Sequence, residues 1–409
     1  MRTLALLMLL ASAPAVACTS FITSQAGRTL VGCNEDAWST NANVRFERGR
    51  TGTYGAIYFA HYNGHPLRQM ADQMGMNEAG LIFDGLSLAP GAVKRRTARP
   101  PMETADAIAH VMRTCATVEE AATFLRSVNT GPVSGMLFFA DAQGGYLMVE
   151  PDTLFTGSDP WYAVSNWRMS TCTDPAAIPI PRLQEGRLLL GNGAGRTLED
   201  GADVLSTMSV CRSKLGEGTL FSVLFDPGAA QAHLYFYHDF SERVTFDLRN
   251  ELRSGDRTVA MASLFSTRPE YERLRGYYTP FHQRWLFWAL AALAVVAMAL
   301  GIVHLIQFAA RVVASWRGRQ NASAAIPFIG GLTNVALVLL LGLLLVQEPV
   351  FYFGLGYVHP ALVVLPWLLL AGLLFHWRRG THERSASRMP HLLSVSVALA
   401  LVTYWGLWW

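Results

Sequence analysis

Charge is scarce in this chain. Only 15% of its 409 residues are Asp, Glu, Lys or Arg, against roughly a quarter in an average soluble protein, while 51% are hydrophobic. So little charge excludes a disordered chain and one that coats nucleic acid. The scarcity is also uneven. From Trp285 onward there is no Lys, and the only acids are Glu348 and Glu383 against seven Arg. A basic excess in apolar surroundings points to a membrane rather than to an acidic partner. Neither Gly-x-Ser-x-Gly nor His-Glu-x-x-His occurs, which lowers the serine-hydrolase and zinc-protease readings. No internal repeat, cofactor motif or metal-ligand cluster stands out, and the length suits about two to three domains.

What is present begins with an export signal. Arg2 supplies the positive start, Leu4 to Ala11 the apolar run, and Ala15-Val16-Ala17 the small-x-small cleavage site. The mature chain would begin at Cys18. Far downstream, Trp285 to Ala310, Ile326 to Val346, Val358 to Trp377 and His391 to Trp409 are apolar runs. Each has about the 20 residues a helix needs to cross a bilayer. Arg311, Arg317 and Arg319 follow the first run, and Arg378, Arg379, Arg384 and Arg388 the third. With an exported N-terminal domain, both clusters fall on the cytoplasmic side, as the positive-inside rule requires. The expected organisation is a signal at 1–17, a catalytic domain at 18–283 and an all-α transmembrane bundle of about four helices at 284–409.

Between Cys18 and about Tyr278 the texture is that of a globular α+β domain. Thr29 to Cys33, Gly55 to His61, Gly80 to Leu88, Met136 to Ala140, Tyr146 to Glu150 and Trp161 to Asn166 read as strands, bounded by turn-forming residues. Asp141-Ala142-Gln143-Gly144 and Asp226-Pro227-Gly228 read as hairpin turns, so antiparallel pairing is expected. Met102 to Thr114 has a helical pattern. A second helix is expected from Val118, where Thr117 and Glu120 have capping-box spacing.

Five cysteines, an odd number, leave at least one unpaired in an oxidising compartment. Cleavage before Cys18 would give that residue both a thiol and an α-amine whose pKa, near 8, lets it take a proton at neutral pH. One residue could then supply nucleophile and base. Two alternatives stand beside this: a lipoprotein attachment site, although Ala15 is small where a lipobox wants a large aliphatic residue, or merely the first residue of a strand.

The residues that follow add a resemblance. Cys18-Thr19-Ser20-Phe21, the turn at Gln25-Ala26-Gly27, and Val31-Gly32-Cys33-Asn34-Glu35-Asp36 together resemble the opening of the choloylglycine hydrolase and penicillin V acylase family of cysteine N-terminal-nucleophile (Ntn) hydrolases. That family's Gly-x-Asn-x-Asp pattern is matched at Gly32, Asn34 and Asp36. The resemblance continues at Gly75 to Leu81, at Val164-Ser165-Asn166-Trp167 and at Leu220 to Asp226, so it spans most of Cys18 to about Leu252.

The resemblance implies a four-layer αββα sandwich and hydrolysis of a linear, non-peptide C–N amide through a thioester on Cys18, whose own α-amine would take the thiol proton and return one to the departing amine. Asp36 would hold the α-amine, and Asn166 would donate an N–H to the oxyanion. Asn34 would fix the strand or join the polar shell. Ser87 stands where relatives carry an oxyanion-side residue, and Asp84 is a further polar candidate. Arg182 is the candidate for the family's later Arg, with Arg187 an equal alternative. One departure is plain: bile-salt hydrolases carry Arg directly after the motif Gly, where this chain has Cys33, and a thiol cannot replace a planar guanidinium. The partners implied are a small-molecule amide and the lipid bilayer, with no nucleic acid and no cofactor. Acyl transfer by the same Cys, or a non-catalytic exported lipoprotein or sensor, are the rival functions.

Other patterns carry less. His61 and His65 have the i, i+4 spacing of a helical metal pair, but Asn63-Gly64 between them favours a turn, so surface or core histidines are the plainer reading. Gly191 to Gly195 is glycine-rich but lacks the Lys-Ser/Thr of a phosphate loop. His304, Asn334 and His359 in or beside the apolar runs could mark a transport route or a substrate entry surface, with interhelical hydrogen bonding the plainer account.

Overall fold

A computed structural model of the chain describes residues 18–25, 27–37, 41–62, 71–88, 99–130, 135–212, 217–275, 284–318 and 325–344, with isolated positions beyond. The chain divides into two compact units, with the boundary falling between Tyr277 and Tyr278.

In the first unit, strand β1 (Thr19–Gln25) turns back into β2 (Arg28–Ala37) through Gly27, whose φ of 77° is the left-handed conformation that glycine adopts without a steric penalty. The register runs from Gln25 opposite Arg28 to Thr19 opposite Asn34. Seven consecutive residues of β2, Thr29 to Glu35, are buried. A strand buried on both faces belongs in the middle of a layered structure. It pairs on its other side with β12 (Glu217–Asp226), and β13 (Gln231–Phe236) and β14 (Asp239–Asp247) extend the sheet. On the far edge β10 (Trp161–Ser165) pairs with β1, and the two-residue β11 (Cys211–Arg212) pairs with β12.

The second described sheet has the order β15 (Arg257–Ala260), β3 (Asn41–Glu47), β4 (Ala56–Tyr62), β5 (Ala71–Asn77), β6 (Ile82–Ser87), β7 (Gly135–Ala140), β8 (Tyr146–Val149), β9 (Leu154–Gly157). Every pairing in both sheets is antiparallel. The sheets face one another through aromatic rings. Phe59 of β4 lies 5.8 Å from Phe225 and 6.4 Å from Phe221, both on β12, and Phe46 of β3 lies 5.6 Å from Phe246 of β14. Burying each such ring stabilises the fold by about 1.5–3 kcal/mol.

Helices cover both outer faces. Helix α1 (Thr104–Thr114) and helix α2 (Val118–Ser127) bury Val111, Met112, Ala121, Ala122 and Leu125 against Tyr58, Phe83, Leu137, Phe139 and Leu147 of the second sheet. The start of α2 follows from its cap: Thr117 accepts from the Glu120 N–H, while the Glu120 carboxylate reaches back to the Ala116 N–H. On the first sheet lie α3 (Pro181–Gly191) and α4 (Leu198–Met208). Helix α4 buries Gly201, Val204, Leu205 and Met208, the i, i+3, i+4, i+7 stripe of an amphipathic helix. The short α5 (Leu248–Arg253) and α6 (Pro269–Arg275) follow β14 and β15. The layers are therefore helix, sheet, sheet, helix, an α+β sandwich of the αββα kind.

The second unit contains α7 (Arg284–Trp316) and α8 (Ala325–Leu344), packed on each other. Among the described residues α7 alone is long and apolar enough to cross a membrane, with a mean hydropathy of 2.6 over its most apolar window. Trp285, Ile306 and Trp316 of α7 and Leu332 and Leu339 of α8 point outward, whereas His304 and Asn334 are buried, Asn334 donating to the Gly330 carbonyl at 2.9 Å. The expected third and fourth spans, at 358–377 and 391–409, fall outside the described residues apart from isolated positions, as does His65.

Candidate active site

Antiparallel register decides which side chains meet around Cys18. Side chains alternate between the faces of a strand, and directly opposed residues share a face. Thr19 opposes Asn34 and Ser20 opposes Cys33. Thr19 and Asn34 therefore look to the helical side of the first sheet, and Cys18, Ser20, Cys33 and Glu35 look into the space between the sheets.

On the helical side the polar groups form a closed network. Asn34, fully buried, donates through Nδ2 to Thr19 Oγ1 and to the Leu205 carbonyl, each at 3.0 Å, and accepts from Ser222 Oγ at 2.6 Å. Thr19 Oγ1 donates to the Met208 carbonyl at 3.3 Å. Asp36 lies two residues further along the same face. Its Oδ2 accepts from Cys18 N at 3.0 Å and from Arg182 Nη1 at 2.6 Å, and its Oδ1 accepts from Thr219 Oγ1 at 2.5 Å. Arg182 also donates to the Met208 carbonyl at 2.9 Å, which ties α3 to the end of α4. Arg187 is elsewhere, over the Trp161 ring at 5.2 Å. Cys18 itself has φ of 55° and is 5% exposed.

Between the sheets, the Cys18 thiol donates to Glu35 Oε2 at 3.5 Å. Burial pushes this thiol well above its ordinary pKa, and the carboxylates of Glu35, Asp36 and Asp84 push it the same way. Asp84, from β6 of the facing sheet, accepts from Ser20 Oγ. Burial likewise drives the Asp84 carboxyl well up, with the Glu35 carboxylate pushing the same way. The Cys33 thiol is raised by burial and then by Asp84. Cys33 thus stands in a buried, acidic neighbourhood.

Asn166 directly follows β10, where Ser165 pairs with Thr19 and donates through Oγ to the Cys18 carbonyl at 2.9 Å. Its Nδ2 donates to the Ser87 carbonyl at 2.6 Å and to Ser87 Oγ at 2.9 Å, and its Oδ1 is buried with no partner among the described residues. Of the residues singled out above, the structure therefore groups Cys18, Asp36 and Arg182 around one carboxylate, Asn34 beneath them, and Asn166 with Ser87. Asp84 lies across the gap between the sheets.

Glu35, His61, Thr219 and Ser222 join these groups without having been singled out for them. For Glu35 the signal was parity: it precedes Asp36 by one position and so takes the opposite face, the one Cys18 uses. Cys18, Cys33, Cys115 and Cys172 are free thiols. Among the described residues no group of three or more His, Cys, Asp and Glu side chains is placed to hold a metal ion. A cleft of about 630 Å³ lined by Arg45, Glu47, Arg48, Arg50, Arg113 and Asp256 contains none of the Cys18 group.

No family model matches the chain, and no curated protein matches it. Among solved structures it is similar to a variant of the conjugated bile acid hydrolase from Clostridium perfringens, at 14% identity and a TM-score of 0.48, covering 62% of this chain and 99% of that one. A second variant of the same hydrolase matches at 13% identity and a TM-score of 0.46, covering 61% and 97%. Penicillin V acylase from Agrobacterium tumefaciens matches at 17% identity and a TM-score of 0.44, covering 56% and 88%.

Proposed function

We propose that this chain is a cysteine Ntn hydrolase of the choloylglycine hydrolase and penicillin V acylase kind, exported and carried on a membrane-spanning unit. It opens a linear, non-peptide C–N amide in a small molecule. The observation that carries the reading is the placement of Cys18: its nitrogen is held by Asp36 on one side of the sheet, while its thiol enters the space between the sheets. Asp36 is fixed in turn by Arg182 and Thr219, so the nitrogen has one defined position.

Cleavage before Cys18 would turn that nitrogen into an α-amine at the same carboxylate. The thiol attacks the amide carbonyl, the departing amine takes up the proton that sulfur loses, and water resolves the thioester. The oxyanion would take over an N–H that Asn166 now gives to Ser87, a type of donor whose loss commonly slows acyl transfer about 10²-fold or more. Export is supported by the Met1 to Ala17 pattern, and membrane attachment by the apolar α7 and the arginine distribution.

The test uses the full chain, with penicillin V, N-acyl amino acids and N-acyl lactones as substrates. Turnover of at least one of them should vanish in Cys18→Ala. Undiminished turnover in that variant would remove Cys18 from the mechanism.

A further inference from the structure

Two hydroxyls of β12 reach the helical side of the first sheet from positions that an unbroken strand would place on opposite faces. Ser222 opposes Asn34 and donates to it, and Thr219 opposes Asp36 and donates to its Oδ1 at 2.5 Å. Asn34 and Asp36 are two residues apart and share a face, whereas Thr219 and Ser222 are three apart, an odd number. The pairing makes up the difference: its register slips by one between Thr219 and Phe221, which leaves Leu220 as an extra residue. A bulge of this kind re-aims a side chain. This one is tied at its carbonyl, where Leu220 accepts from the Tyr237 N–H at 2.8 Å. Tyr237 and His238 make the two-residue turn after β13 with φ of 56° and 45°, a conformation unfavourable for residues with a Cβ. Tyr237 is held there by burial and by the Tyr271 ring, edge-on at 5.5 Å.

The Thr219 hydroxyl has one proton, and its neighbours decide where it goes. Oγ1 accepts from the Val210 N–H at 2.8 Å, so its own proton is left for Asp36. Thr219 is fully buried. With Oδ1 so engaged, Oδ2 is the oxygen that meets the Cys18 nitrogen and Arg182.

We propose that Thr219 is a positioning residue for the Cys18 amine, its hydroxyl fixing the plane of the Asp36 carboxylate and drawing charge from it. The inference rests on the reading of Cys18 as an N-terminal nucleophile and deepens it. An α-amine must lose its proton before it can take one from the thiol. A carboxylate whose whole charge faced the amine would hold it as the cation. The donor on Oδ1 weakens that hold, and it also keeps the carboxylate from rotating away. The other charged groups about Cys18 are Arg182 on α3, Glu35 on β2 with His61 of β4 against it, and Asp84 on β6. A change at Thr219 leaves each of them in the chain.

The experiment follows acetylation of Cys18 in the full chain by p-nitrophenyl acetate, an activated ester, across a range of pH. Peptide mass locates the adduct and reports whether Cys18 is N-terminal. The acid limb of the rate marks the proton that must leave the thiol–amine pair. In Thr219→Val, which keeps the shape and loses the donor, the limb should move to higher pH because the ammonium is held more tightly. A hydrogen bond to a charged group is worth about tenfold in an equilibrium, so the shift should approach about one pH unit. Thr219→Ser keeps the hydroxyl and should keep the limb at its native pH. Thr219→Cys, a weaker donor, should move it the same way by less, and carries the comparison should Thr219→Val fail to fold.

A Thr219→Val limb at or below the native pH overturns the proposal even where the rate has fallen, because lost packing alone slows the reaction at every pH alike. An equal shift in Thr219→Ser overturns it too, by assigning the effect to the methyl group. A native chain with no adduct, or with Cys18 still joined to Ala17, defeats the underlying reading, and the role of Thr219 with it.

Discussion

Arg182 donates to the same Asp36 oxygen as the Cys18 nitrogen, from 2.6 Å, with the two charged side chains only 11% and 8% exposed. Two charges held out of water depend on one another, and removing one partner of such a pair commonly costs 3–5 kcal/mol because the other is left buried and unpaired. Arg182→Ala is therefore expected to destabilise the sandwich by about 3 kcal/mol. Chemical denaturation checks this, and a loss below about 0.5 kcal/mol would show that water reaches Asp36.

The motif glycine at position 32 has a packing reason. Gly32 opposes Phe21, and a Cβ placed on it would come within 2.2 Å of the Phe21 ring, which is fully buried. Gly32→Ala should cost about 1–3 kcal/mol through overpacking. Shrinking the ring with Phe21→Leu in the same chain should recover part of that. Thermal unfolding of the single and double variants measures both effects.

Asp84 should set one slope of stability against pH. Its folded carboxyl stays protonated well above the usual range because it is buried, whereas in the unfolded chain it ionises near pH 4. Above that pH the folded state binds the extra proton, so its stability falls as pH rises toward the folded pKa. Asp84→Asn keeps the shape without the proton. Between about pH 4 and pH 7 the native chain should lose stability relative to this variant. Parallel curves in a urea series would contradict the assignment.

His233 should act with the opposite sign. Burial, and then the nearby Arg243, lower its pKa to about 4, and its Nδ1 is 2.9 Å from Thr245 Oγ1. The unfolded chain takes up a proton near pH 6.5 that the folded one refuses, so stability is lost as pH falls from there through about pH 4. His233→Gln should flatten this acid-side loss relative to the native chain, again read by denaturation at several pH values.

The strands were legible where turn residues bracket an apolar run. Asp141 to Gly144 joins β7 to β8, with Asp141 accepting from the N–H groups of Gln143 and Gly145, as a turn aspartate does. Helix α3 was not legible because Arg182, Gln184, Glu185 and Arg187 interrupt its apolar positions. It buries only Leu183, Gly186 and Leu190, with Gly186 giving way to Met208 of α4. The pairing of Cys18 with Asp36 follows from the length of one hairpin, so motif spacing could carry it. The Glu35–His61 contact depends on how two sheets are stacked, which no local spacing encodes. His61 accordingly read as an ordinary surface or core histidine.

The left-handed backbone at Cys18 gives the peptide bond before it a mechanical meaning. A φ of 55° in a residue with a Cβ sets that side chain against the neighbouring carbonyl, at a cost of roughly 1–2 kcal/mol. Hydrolysis between Ala17 and Cys18 abolishes that torsion, because an N-terminal residue has no preceding carbonyl to define φ. Such a cut would also turn a neutral amide donor into a cation facing Asp36, so release of strain and gain of an ion pair would both favour a chain processed there. Removal of the leader would then act as a one-way latch that tightens the site as it opens the nitrogen.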